Sequence, residues 1–144
     1  MPKKFSEFKR EMREIYDGIG VVWCPAIKED VHFNAKGFHH LRFEVTGDER
    51  KISEQVYKLG LIPFVEQVVR DAAFVSESRR TKAPVNRKRS RGNGQIKHVT
   101  YIALVGRNDS LGKYRIRVVL RKIGMNGETI FWSVMGGGKP KKRD

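Results

Sequence analysis

The spacing of apolar residues changes part-way along this chain, from the period of a helix to the period of a strand. Up to residue 73 apolar residues recur at steps of three and four, and from residue 99 they alternate with polar ones. Each period places the apolar residues on one face of its element. Because the helical pattern comes first and the strands follow as consecutive hairpins, the chain is predicted to be an α+β domain.

The helical half is predicted to contain four helices. They cover residues 5–17, 35–43, 48–59 and 63–73. Asn34 is the expected N-cap of the second helix, which Gly37 weakens, and Ser53 is the expected cap of the third.

The second half is predicted to form a three-strand antiparallel meander over residues 99–106, 113–124 and 128–136, with Asn126-Gly127 as a hairpin turn. DVHF, at 30–33, is a short extra strand. The even-numbered residues of the last two strands are expected to pack on the helices. These are Tyr114, Ile116, Val118, Leu120, Ile130, Trp132 and Val134. The opposite face would then expose cations, a hydroxyl and aromatic surface, which suits phosphate contacts and base stacking, although a solvated charged face is a common alternative.

Positive charge is concentrated in two segments. The chain carries a net charge of +14, and residues 79–98 contain eight Lys or Arg and no acid. We predict a single domain over 1–136, a flexible basic loop at 79–98 and a basic disordered tail at 137–144. A nucleic acid is the expected partner, ahead of a membrane, because no basic amphipathic helix carries the charge; tails that only aid solubility are the alternative.

The location of the protein is predicted from what the sequence lacks. It has a lone cysteine, Cys24, no signal-peptide pattern at its N-terminus and no apolar run of membrane-spanning length. We therefore expect a soluble cytoplasmic protein.

Three of the four histidines lie in VHFNAKGFHHLRF, residues 31–43. Adjacent helical histidines do not easily reach one ion, and no metal-binding or hydrolase motif is present, so neither a metal site nor a serine hydrolase is favoured. A solvated polar helix face and a general acid/base site both stay open. Imidazole suits acid/base chemistry near neutrality, and RNA supplies its own nucleophile, the 2′-OH.

The order and character of several segments resemble a known group of nucleases. VHFNAKGFHHLRF, RKISEQVYKLGLIPFVEQVV, a basic gap, YIALVGR, YRIRVVLRKIG and TIFWSVM together resemble the phage- and mobile-element-linked members of the barnase–EndoU–colicin–RelE-like superfamily of RNases. The likeness covers about residues 28–136. It implies N-terminal helices packed on a curved antiparallel sheet, with RNA cleaved on the open face without metal or cofactor.

Carried over residue by residue, the resemblance implies a catalytic set of His40, Lys58, Arg117 and Ser133, with His39 as an alternative to His40. No counterpart of barnase's catalytic glutamate is identified. The expected product is a 2′,3′-cyclic phosphate, formed by a toxin-like endoribonuclease that would need an inhibitory antitoxin protein. A non-catalytic RNA- or DNA-binding module and an assembly factor with an acidic partner are the rivals.

Further basic residues are expected to bind the nucleic-acid backbone. They are Arg79, Arg80, Lys82, Arg87, Lys88, Arg89, Arg91, Lys97, Lys113, Arg115 and Arg121.

Overall fold

The computed structural model describes residues 4–85, 95–107 and 115–138, and these ranges contain four helices and six strands. The elements are α1 Phe5–Asp17, β1 Val21–Cys24, β2 Glu29–His32, α2 Ala35–Arg42, α3 Ile52–Leu59, α4 Ile62–Asp71, β3 Glu77–Val85, β4 Gln95–Arg107, β5 Arg115–Ile123 and β6 Thr129–Gly138. The α+β class is confirmed. No helix in these ranges has both the length and the apolar character needed to cross a membrane.

The sheet has the strand order β1-β2-β6-β5-β4-β3. Strands β3 to β6 form an antiparallel meander, and β2 joins β6 in parallel through two residue pairs, Val31↔Thr129 and His32↔Ile130. The sheet is therefore mixed, and its meander has four strands where the sequence predicted three. The missed strand is β3, which has few apolar residues and so no recognisable alternation.

The prediction of a flexible loop over residues 79–98 is wrong at both ends. Residues 79–85 belong to β3 and residues 95–98 to β4, and the two strands pair from Glu77↔Ala103 to Val85↔Gln95. Backbone hydrogen bonds hold this hairpin together, and they depend little on side-chain polarity. Residues 86–94 and the predicted tail from 139 onward lie outside the described residues, and β6 includes residues 137 and 138.

The core lies between one face of the sheet and helices α1 and α4. Ile116, Val118 and Leu120 of β5 are buried in it, as the alternation of this strand predicted. Val65 and Val69 of α4 belong to the same apolar cluster. Tyr114, predicted to share this face, lies outside the described residues. The other face of β3–β6 is not covered by α1 or α4, and we call it the open face.

Strand β6 does not follow the predicted alternation, because it contains a β-bulge. Val119 pairs with Ser133 and the next residue, Leu120, pairs with Phe131, so Trp132 is an extra residue in β6. The bulge reverses the face on which the preceding residues lie. Phe131, predicted to be exposed, is fully buried in the core, whereas Trp132 joins Ser133 on the open face.

The same reversal affects a second predicted core residue of β6. Ile130 is buried, but it pairs with Arg121 and lies outside the core cluster. Val134, beyond the bulge, is buried in the core as predicted.

Of the two helix caps predicted from the sequence, Asn34 is confirmed and Ser53 is wrong. Asn34 is the N-cap of α2, and its side-chain oxygen accepts a hydrogen bond from the Gly37 N–H at 3.3 Å. Ser53 is not the cap of α3, because the helix begins at Ile52 with Lys51 in the N-cap position. Lys51 makes no side-chain capping hydrogen bond, so the helix depends on tertiary packing, such as that of its buried Leu59, and not on a cap.

Candidate functional site: a basic groove on the open face

A groove of about 520 Å³ crosses the open face. Its floor comes from four strands and its wall from α2, α3 and the segment that connects them. The lining residues are Glu77 and Arg79 of β3, Tyr101 and Ala103 of β4, Arg117 and Val119 of β5, Trp132, Ser133 and Met135 of β6, and His40, Val45, Arg50 and Lys58 from the helical half. Three gaps between strands at about 4.8 Å each give the floor a width of about 14 Å.

Four of the five residues proposed for catalysis line this groove. His40, Lys58, Arg117 and Ser133 come from α2, α3, β5 and β6, and the fold brings them together from distant parts of the sequence. His39 does not line it. Its side chain is exposed and its ring stacks on Phe43 at 4.4 Å between centroids. Of the two adjacent histidines, only His40 faces the groove.

Helix α2 approaches β6 closely, and this positions His40. Phe38 and Leu41 anchor the helix in the core. A Cβ atom on Gly37 would lie 2.4 Å from the Phe131 carbonyl oxygen, so the absence of a side chain permits this approach. The His40 ring then stacks on the ring of Trp132, with 4.1 Å between centroids and 15° between planes.

The surroundings of His40 disfavour its protonated form. Burial is the main cause, and the cations Arg50, Lys58 and Arg121 add to it, so that the pKa of His40 falls from 6.5 to about 4. His40 is therefore neutral at pH 7. A neutral imidazole inside a cationic groove can accept a proton from a bound ligand.

Lys58 and Ser133 form a buried polar pair at the floor of the groove. The Lys58 ammonium donates to the Ser133 hydroxyl at 3.2 Å and to the Val134 carbonyl at 3.4 Å. Burial lowers the pKa of Lys58, and the nearby Arg50 cation lowers it further. Because Ser133 accepts from Lys58, its own hydroxyl hydrogen is available to an anion in the groove.

Glu77 supplies a carboxylate to the groove, and no sequence pattern predicted it. It accepts a hydrogen bond from the Arg117 guanidinium at 2.6 Å, and its side chain is 62% exposed. The charged lining residues are four cations, Arg50, Lys58, Arg79 and Arg117, and this one anion. The excess of positive charge favours an anionic ligand.

Arg50 was also missed as a site residue, because the sequence placed it in a predicted helix over residues 48–59, whereas it precedes α3. Its guanidinium donates to the His40 carbonyl at 3.1 Å and pairs with Glu54 at 2.9 Å. The fully buried Gln55 side chain donates to the Arg50 carbonyl at 2.7 Å and accepts from Arg42 at 3.1 Å. Gln55 thus holds the segment between α2 and α3 in place and positions Arg50.

Two aromatic rings in the groove are in contact with arginines. The Arg121 guanidinium lies 4.3 Å from the Trp132 ring centroid, and Arg79 lies 5.5 Å from that of Tyr101. Arg121 contacts Trp132 without lining the groove, and its Nε is buried without a hydrogen-bond partner among the described residues. Trp132 thus contacts both the His40 ring and Arg121. It helps to position the His40 ring, in addition to any contact with a ligand.

The other basic candidates are spread around the hairpin and the strand ends. Arg79 lines the groove, and alternation along β3 places Arg80 and Lys82 on the opposite face of the sheet. Lys97 pairs with Ala83 near the outer end of the hairpin, and Arg115 is exposed at the start of β5. The remaining candidates, Arg87, Lys88, Arg89, Arg91 and Lys113, lie outside the described residues.

Comparison with models of protein families, with curated proteins and with solved structures found no match to this chain. The resemblance to the RNase superfamily therefore stays a prediction, and the function has to be argued from the groove itself. Within residues 4–85, 95–107 and 115–138, no three His, Cys, Asp or Glu side chains are grouped so that they could hold a metal ion.

Proposed function

We propose that the protein is an endoribonuclease that binds the RNA backbone in the groove and cleaves it by attack of the 2′-OH. The observation that carries the proposal is the grouping of a neutral histidine with a lysine–serine pair and an arginine in one groove. A 2′-OH nucleophile needs a base, and the phosphorane needs cations and hydroxyl donors; these side chains provide all of them.

In this mechanism His40 is the general base. It takes the proton of the 2′-OH, and the 2′ oxygen forms a bond to phosphorus. Arg117 and Lys58 hold the non-bridging oxygens, and the Ser133 hydroxyl donates a hydrogen bond to one of them. Arg117 must turn from Glu77 to the phosphate, which keeps its charge paired in both states.

The bond between phosphorus and the 5′ oxygen breaks next, and the leaving oxygen needs a proton. Lys58 is the donor we propose, because its lowered pKa makes the ammonium a stronger acid than an exposed lysine. The products are a 2′,3′-cyclic phosphate and a 5′-hydroxyl. Protonated His40 and neutral Lys58 return to their starting states by proton exchange with water.

The test is single-turnover cleavage of a short RNA by His40→Ala and His39→Ala. General acid/base groups contribute about 10²- to 10⁴-fold. His40→Ala should therefore lose cleavage by about that factor, and His39→Ala should stay within a few-fold of the wild type. Both variants should bind the RNA about equally well, which shows that they are folded. Cleavage should continue in EDTA, because no step of the mechanism uses a metal.

A matched oligonucleotide separates this mechanism from other routes to hydrolysis. Replacing the 2′-OH at the cleaved position by hydrogen should abolish cleavage there, because the nucleophile is gone. Cleavage of the deoxy oligonucleotide would refute the mechanism. If neither histidine matters and no cleavage is seen, a non-catalytic RNA-binding module becomes the better description of the groove.

A further inference from the structure

We infer that the β3–β4 hairpin is a second RNA-binding surface, and that the RNA bound is a folded one that lies against both faces of the hairpin. That the bound polyanion is RNA rests on the proposed function. The inference starts from a feature of which the groove uses only Arg79. We call residues 79–85 of β3 and 95–100 of β4 the ribbon.

The outer end of the ribbon extends beyond the rest of the sheet. Pairing between β4 and β5 ends at Val99↔Ile123, whereas β3 and β4 continue to pair from Lys82↔His98 to Val85↔Gln95. The Gly124 N–H still donates to the His98 carbonyl, so the last three described residue pairs, Ala83↔Lys97 to Val85↔Gln95, form a two-stranded structure. At about 3.3 Å per residue it is about 10 Å long.

Charge on the ribbon is of one sign and lies on both of its faces. Arg79, Arg80, Lys82 and Lys97 are all exposed, and residues 79–85 and 95–100 contain no acid. Arg79 faces the groove, and Lys97 lies on that same face because it pairs with Ala83. Alternation places Arg80 and Lys82 on the opposite face.

The two-sided arrangement restricts the shape of the ligand. A single strand in the groove meets the cations of one face only, since the other face is separated from it by the thickness of the sheet. Arg80 and Lys82 reach phosphates only if the RNA also passes behind the ribbon. A folded RNA with a cleft between two backbone segments meets this condition, because proteins recognise such RNA through its shape and phosphates.

The inference is tested by removing the cations of the back face. Arg80→Gln/Lys82→Gln is compared with Arg10→Gln/Lys28→Gln, which removes two exposed cations from α1 and the turn before β2. Binding to total transfer RNA is measured over a range of salt in a His40→Gln background, so that the RNA stays intact. Each phosphate contact contributes about 0.9 to the slope of log K against log salt in a duplex. The ribbon variant should flatten the slope by about 1.8 and the control should leave it unchanged.

Cleavage of a tetranucleotide, too short to pass behind the ribbon, is measured with His40 present. The ribbon variant should cleave it at the wild-type rate. A slope equal to the wild-type slope would overturn the inference. That result is expected if Arg80 and Lys82 bind an acidic protein, or if they only protect the edge strand β3. An equal change in the control would also overturn it. If the wild type cleaves no RNA, the proposed function fails, while the slopes still decide whether the ribbon binds RNA.

Discussion

Acid should destabilise the folded protein through His40, and His40→Gln should remove this effect. The pKa of His40 is about 4 in the folded protein because the ring is buried among cations, and 6.5 is its ordinary value. Between these values the unfolded chain binds a proton at His40 that the folded chain does not bind. Lower pH therefore favours unfolding, and the stabilisation present at pH 7 is lost as the pH falls towards 4.

The size of the effect follows from the two pKa values. With 6.5 for the unfolded chain and about 4 for the folded one, this histidine lowers the free energy of unfolding by about 2 kcal/mol between pH 7 and pH 5. Extending the range to pH 4 raises the loss to about 3 kcal/mol. These losses are a substantial fraction of the total stability of a domain, which is about 5 to 15 kcal/mol.

Urea unfolding at pH 7, 6 and 5 measures the contribution of His40 as the difference in free energy of unfolding between the wild type and His40→Gln. Other histidines and the carboxylates are common to the wild type and His40→Gln, so their contributions cancel. The wild type should lose about 2 kcal/mol more than the variant between pH 7 and pH 5. His39→Gln, which retains His40, should lose as much as the wild type. Equal pH dependence in wild type and His40→Gln would show that the groove does not disfavour the imidazolium.

Three further predictions concern catalysis and packing. If His40 is the base, kcat/KM for RNA cleavage should fall as the pH is lowered through about 4, where the imidazole gains a proton; a profile that rises there would exclude this role. Val118→Ala should lower the free energy of unfolding by about 1 to 3 kcal/mol through lost burial, whereas Arg115→Ala at an exposed position should change it little; the reverse order would mean that the faces of β5 are wrongly assigned. Gly37→Ala should cost about 1 to 3 kcal/mol by overpacking. Gly18→Ala, in a helical conformation where a Cβ would make only ordinary van der Waals contacts, should be neutral or stabilising in the same urea assay, and equal effects would contradict the close approach of α2 to β6.

The sequence predicted the parts of the fold in which local pattern and tertiary packing agree. The alternation in β5 placed Ile116, Val118 and Leu120 correctly, because this strand has one buried face. Asn34 was identified as a cap because its side chain acts on its own helix. Strand β3 was missed because its pairing depends on the backbone.

The site was predicted less completely than the fold. Trp132 lies on the open face because it is itself the extra residue of a bulge in β6, and no property of FWSV reveals a bulge that exists only relative to β5. Glu77 and Arg50 lie in polar segments and acquire their roles through partners distant in the sequence or through the buried Gln55. The four catalytic candidates that line the groove were proposed by resemblance, because composition alone did not select them.

The parallel pairing of β2 with β6 has a consequence for the order in which the molecule folds. Adjacent strands of the meander need mostly short loops to meet, whereas Glu29 of β2 and Thr129 of β6, which are hydrogen-bonded, are 100 residues apart in the chain. Closing so long a loop costs more entropy, so we expect this contact to form late. The segments that carry His40 and Lys58 follow β2 and reach Trp132 and Ser133 across the same junction. A nascent chain would then acquire its complete groove only late in folding, after β6 has been synthesised.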